Sequence, residues 1–216
     1  MGSPVVVAPI AAREDELAIS LLARAFRDNP LDVAVIGGPA EKRMRSVQWG
    51  MRSTVAAARR CPAATLLGAY SAEMDHPKGN PLAVLLALPS RALPLPPPPL
   101  LPHLAATFGQ GFRALRRWGE VFRVLEREQP REPHWYLSLL GVDPAHWRDG
   151  VGSRLLDAWL GSIDPAGVAS YLETDRESNL AFYGRAGFGV VAELEILGTP
   201  VWCMSRPPRS PRGGST

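Results

Sequence analysis

Gly150 and Gly152 stand two apart where an apolar run ends at Asp143-Pro144 and an amphipathic pattern starts at Val151. Glycines let a backbone approach a ligand without a Cβ in the way, and the first turn of a helix offers unpaired N–H groups with partial positive charge. Asp149, Gly150, Val151, Gly152 and Ser153, with Arg148 beside them, therefore make a candidate anion pocket of the kind that takes a pyrophosphate. A tight structural turn is the other reading of the same glycines. The helix that follows is well patterned: Val151, Leu155, Leu156 and Trp159 share one face, while Arg154 and Asp157 stay outside. A second pair lies downstream. Asn179 and Tyr183 are four apart on a short helix stopped by Gly187, so an amide and a phenol can address one ligand while Leu180 and Phe182 look elsewhere. For Tyr183 the competing reading is an ordinary half-buried aromatic.

Two other nucleotide loops fail on these residues. A Walker-type loop needs Lys and then Ser or Thr after its last glycine, but Gly152 is followed by Ser153 and Arg154. A dinucleotide fingerprint has an acid near the position of Glu173, yet Leu155 stands where its third glycine belongs.

From Trp135 to Arg206 the chain resembles the GNAT superfamily of N-acetyltransferases. The likeness rests on Leu137-x-x-Leu140-x-Val142-Asp143-Pro144 leading into Gly150-Val151-Gly152, then on Leu172-Glu173-Thr174, Asn179, Tyr183, Gly187-Phe188 and the run Val201 to Arg206. More loosely it takes in Leu17 to Phe26 with Asn29-Pro30. The resemblance implies an α/β (α+β) fold, a mixed and mostly antiparallel sheet flanked by helices. It also implies acetyl-CoA as cosubstrate, with its pyrophosphate on the glycine loop, its thioester where the preceding strand splays from its neighbour, and Tyr183 protonating the departing thiolate. One position departs from the pattern. Trp147 stands where the family usually has Gln or Arg, so a side-chain contact is lost unless Arg148 supplies it, and Asp149 would repel a pyrophosphate if it faced inward.

The chemistry implied is direct transfer. A free amine attacks the thioester, backbone N–H groups at Leu140, Gly141 and Val142 stabilise the oxygen that gains charge, and Tyr183, with an ordinary pKa of about 10, serves as general acid. Glu173 is the candidate base, acting directly or through water; a strand-end carboxylate capping the next turn is its structural alternative. The acceptor is a small-molecule amine or a protein amino group. The alternative function is a catalytically weak module that binds CoA or a protein partner for regulation.

These residues need a scaffold, and the composition supplies one. The chain has 216 residues, 46% of them hydrophobic, enough for a single domain with a full core. We expect a strand at Val5 to Ala8, helices at Glu14 to Arg27 and Glu41 to Arg59, and strands at Ala64 to Tyr70 and Leu82 to Leu88. One domain then spans residues 1–206, with a proline-rich and helical insertion at about 90–133 that walls or covers the amine pocket, and a disordered tail at 207–216. The run Leu93 to Pro102 reads as extended polyproline, and the helix from about Pro102 to Glu128 as amphipathic. Its arginines are read as a solvated face; with 24 basic against 21 acidic residues, no nucleic-acid partner is expected. Cys61 and Cys203 are expected as buried thiols, and no metal site is indicated. The longest apolar run, Leu82 to Leu88, is too short for a bilayer and no signal peptide is evident, so a cytoplasmic protein without a membrane partner is expected, a homodimer being compatible with such a domain.

Overall fold

The computed structural model describes residues 4–72, 79–97, 109 and 111–209. Its centre is a seven-stranded sheet in the order β1-β2-β3-β4-β5-β7-β6, built from β1 (Val5–Pro9), β2 (Thr65–Ser71), β3 (Ala83–Pro89), β4 (His134–Val142), β5 (Ala169–Thr174), β6 (Gly189–Ile196) and β7 (Thr199–Arg206). All neighbours are antiparallel except β4 and β5. The expected mixed, mostly antiparallel sheet is thus observed. Every residue of β3 is buried, because helices cover it on both sides, and this accounts for its unbroken apolar run.

Alternation along β3 sends its side chains to two cores. Val84 and Leu86 meet α1 (Asp15–Phe26) and α3 (Ala40–Arg59) through Leu22, Ile19 and Val55. Leu85 and Ala87 meet α5 (Val151–Ile163) through Leu155, Leu156 and Trp159. A third cluster joins α2 (Pro30–Ile36) and α4 (Phe112–Glu128) to the β6–β7 end, with Leu31, Val35, Val121, Ile196 and Val201 at its centre. The last helix, α6 (Ser178–Arg185), follows β5. The helix α2 was not anticipated; Pro30 at its first turn is the one local signal for it. Its start is capped from a distance, since Leu31 N–H donates to Oδ2 of Asp175 at 2.8 Å.

The sequence-expected strands and helices otherwise fall within a few residues of the observed ones. The insertion follows β3 and precedes β4, and its described part holds α4; the proline run beyond Pro97, the expected helix start at Pro102 and the tail beyond Arg209 lie outside the described residues. Cys203 is buried but Cys61 is only half-buried, a correction to the expectation for the latter, which sits in a surface turn after α3.

Near the C-terminal end the fold is tied by one buried cation. Arg206, 3% exposed, reaches both carboxylate oxygens of Asp164 at 2.6 and 2.9 Å and the carbonyl of Ala186 at 3.0 Å. That arrangement joins β7 to the C-terminal ends of α5, which carries the glycine loop at its other end, and of α6, whose last turn carries Tyr183.

Candidate active site

The parallel pair β4–β5 is in register only over His134 to Tyr136 opposite Ala169 to Tyr171. Beyond it the strands separate: Leu137 to Val142 pair with β3 alone, and Leu172 to Thr174 with β7 alone. The separation begins at a bulge, because Leu86 opposes Leu139 while Ala87 opposes Leu137, leaving Ser138 as the additional residue. Before the bulge Leu137 faces α5; after it Leu140 and Val142 do, and Gly141 faces α1. A Cβ on Gly141 would lie 2.8 Å from Leu22, so the glycine is what lets α1 close on β4.

The backbone on the open side of β4 follows from alternation. Asp143 N–H donates to Leu82 O at 2.9 Å, toward β3. The N–H groups of Leu140 and Val142 then point into the gap and that of Gly141 points back to β3. Of the three amides expected to meet the reacting oxygen, two face the gap. The carbonyl of Val142 is already taken, accepting from Nε1 of Trp147 at 2.9 Å. Trp147 therefore fastens the loop to the strand end instead of contacting a ligand through a charged or amide group.

The glycine loop has the geometry of an anion cradle. Gly150 is the N-cap of α5 at φ 77°, a left-handed conformation, and a Cβ there would meet nothing within 4 Å. Its space is open, and the N–H groups of Val151, Gly152 and Ser153 have no acceptor within their own helix. Gly152 serves packing too: its Cβ would stand 3.0 Å from Cγ2 of Val142. Arg148 is exposed and also left-handed, at φ 73°, an uncommon conformation for a side-chain-bearing residue. Asp149 turns outward, with Oδ2 3.3 Å from Nδ1 of His146. It does not line the cleft, so the feared repulsion has no geometric basis.

A cleft of about 1910 Å³ runs through the gap and is lined by Leu140, Gly141, Val142, Arg148, Gly150 to Ser153, Glu173, Asn179 and Tyr183. Every expected site residue except Asp149 lines it. Asn179 and Tyr183 share the cleft face of α6 as their spacing implied, but Phe182 lines it too, edge-on to Tyr183 with ring centroids 4.9 Å apart. The expectation that Phe182 looks elsewhere is corrected: at i+3 from Asn179 it falls on the same helical stripe as Tyr183 at i+4. Nδ2 of Asn179 donates to Oγ1 of Thr174 at 2.9 Å, fixing α6 to the end of β5.

Glu173 and Tyr183 enter from opposite sides. Leu172 packs in the same core as Tyr183, so its neighbour Glu173 projects to the other face of β5, beside Tyr171. Burial pushes the Glu173 carboxyl up to about 7, partly offset by the phenols of Tyr136 and Tyr171 close by. Its Oε1 is buried with no well-aligned hydrogen-bond partner among the described residues. Tyr183 is 7% exposed, and burial, with the charge of Asp175 adding to it, holds its phenol well above the ordinary range. One group is near the threshold for taking a proton at neutral pH, and the other keeps its proton to give.

Sequence reasoning missed Asp32. It is 6% exposed, lines the cleft, and its carboxyl is raised by burial and by Asp175. Nothing local marks it, because its burial comes from α2 packing under the end of β5. Among the described residues no group of three or more His, Cys, Asp or Glu could hold a metal ion, and no helix is long and apolar enough to cross a membrane.

Residues 111–188 match the model of the Acetyltransferase (GNAT) family. The fold is shared with solved structures at low identity. The histone acetyltransferase HPA2 and related acetyltransferase of Corynebacterium glutamicum is 21% identical, with a TM-score of 0.69 over 98% of this chain and 99% of that one. PaiA N-acetyltransferase of Thermoplasma acidophilum, solved in complex with coenzyme A, is 12% identical, with a TM-score of 0.56 over 94% of this chain and 99% of that one. Arylalkylamine N-acetyltransferase 2 of Aedes aegypti is 13% identical, with a TM-score of 0.57 over 95% of this chain and 99% of that one.

Proposed function

Since residues 111–188 match the Acetyltransferase (GNAT) family model and the chain shares the fold of solved acetyltransferases, we propose that it moves the acetyl group of acetyl-CoA directly onto an amine. The observation that carries this reading is the parting of β4 and β5 above a helix N-terminus, with Glu173 and Tyr183 entering the gap from opposite faces. The open space at Gly150 and the free first-turn amides of α5 fit a pyrophosphate, which Arg148 would help to neutralise. When bound, the cosubstrate supplies an activated acyl group as a thioester.

The residues then have separate tasks. Glu173 takes the proton that an ammonium must lose before its nitrogen is nucleophilic. The amides of Leu140 and Val142 donate to the carbonyl oxygen as charge accumulates there. The C–N bond forms as the C–S bond breaks, and Tyr183 gives its proton to the departing sulfur. Asn179 holds α6 in place through Thr174 and so positions Tyr183.

The test is release of free thiol from acetyl-CoA by the full chain, with and without a panel of amines. Release that depends on an amine supports the proposal. Thermal stabilisation by CoA with no amine-dependent release would support the regulatory CoA-binding module instead.

A further inference from the structure

Resting on that reading, we propose that the acceptor is a primary amine on an apolar body, its ammonium held between Asp32 and Glu173 and its body laid against α4. Both acids line the cleft. Asp175, their neighbour, is already committed, because its oxygens accept from Leu31 N–H at 2.8 Å and from Nδ2 of Asn29 at 3.3 Å. Asp32 has neither kind of tie among the described residues, and only 6% of it is exposed. Its burial and the nearby charge of Asp175 favour the neutral form, a situation that an arriving ammonium reverses.

A further buried atom faces the same side. Nδ1 of His134 lies 2.9 Å from the carbonyl of Glu132 and so carries the proton, which leaves Nε2 an acceptor. That Nε2 is buried without a partner among the described residues, and His134 lines the cleft. Its ring stands edge-on to Tyr171, on the face of β5 from which Glu173 projects. Glu173 Oε1 is likewise buried without a well-aligned partner among the described residues, although the phenols of Tyr136 and Tyr171 lie close by. This end of the cleft therefore has two buried acceptors, His134 Nε2 and Glu173 Oε1, that a further donor would satisfy.

The opposite wall is apolar. Leu115, Trp118, Phe122 and Leu125 of α4 line the cleft, with Trp118 and Phe122 stacked at 5.5 Å. Phe122 is 61% exposed, a large ring left in water unless something covers it. Arg131 and Arg176 also line the cleft, which disfavours an acceptor with several positive charges.

Two measurements on the full chain test the assignment. In thiol release with acetyl-CoA, 2-phenylethylamine and n-octylamine should exceed ethanolamine, spermidine and a free peptide N-terminus in kcat/KM by about tenfold or more. Phe122→Ser, at an exposed position that threatens folding little, should raise KM for 2-phenylethylamine by about tenfold with kcat nearly unchanged. Calorimetry of 2-phenylethylamine on CoA-saturated protein reads the pocket without turnover, and Asp32→Asn should abolish that binding. Binding of this kind without acetyl transfer keeps the pocket and refutes the transfer reaction. Transfer that favours spermidine or the peptide, or absence of 2-phenylethylamine binding, overturns the proposed acceptor.

Discussion

At the scale of residues, Glu173 and Tyr183 are both shifted by burial in the same direction, with opposite consequences. A carboxyl raised to about 7 is a usable base at neutral pH, and a phenol raised further remains an acid. The base must be unprotonated, so kcat/KM should rise with pH through about 7. Glu173→Gln should lower turnover by about 10²-fold or more and remove that limb of the profile. The same residue links folding to pH. Its folded value lies above its unfolded one, so its contribution to stability is present below the ordinary carboxylate range and declines as pH rises through about 7. Thermal melts across that window should lose part of their slope in Glu173→Gln. Tyr183 and Glu173 were legible in the sequence as chemical types at suggestive spacings. Their placement on opposite faces was not, because it depends on the packing of α6 against β5. Asp32 gave no signal at all: its role arises from a contact between α2 and a residue 144 positions away at the end of β5.

At the scale of elements, the loop before α5 is governed by backbone conformation. Gly150→Ala meets open space but a left-handed φ, so it should destabilise the protein by about 1 kcal/mol in denaturant titration and weaken CoA binding in calorimetry. Gly152→Val differs, because the new side chain presses on Val142 and should lower the melting temperature together with CoA affinity. Arg148 permits a cleaner separation. Arg148→Gly relieves about 1 kcal/mol of left-handed strain, which offsets the added freedom of glycine when unfolded. Stability should change little while KM for acetyl-CoA rises with kcat retained; a pure loss of kcat would remove Arg148 from the pyrophosphate site. The turn and helix were readable from Gly150, Gly152 and the spacing of Val151, Leu155, Leu156 and Trp159. The bulge at Ser138 was not, since it is defined only by the register of β4 on β3. It decides that Leu140 and Val142 turn toward α5.

At the scale of the whole molecule, the sheet holds the two halves of the cleft apart and Arg206 ties together the helices that line it. Removing that cation leaves Asp164 with only a distant exposed guanidinium, Arg209 at 3.8 Å. Arg206→Met should cost about 3 kcal/mol in denaturant unfolding. The Arg206 guanidinium holds the Asp164 carboxyl below its usual range, so this stabilisation is present above that range and lost as pH falls through the lowered value. The positions of most strands along the chain were legible from apolar runs and glycines, and β3 most plainly, since burial on both faces leaves no polar alternation to obscure it. The insertion's contribution to the cleft was legible only as length; the wall formed by Trp118 and Phe122 required the fold. The central claim is that acetyl transfer takes place in the gap between β4 and β5 with Tyr183 as proton donor. It is tested most directly by amine-dependent thiol release from acetyl-CoA in Tyr183→Phe beside the parent protein. The account predicts a folded variant with unchanged CoA affinity and turnover lower by about 10²–10⁴-fold. Full turnover in that folded variant would contradict it.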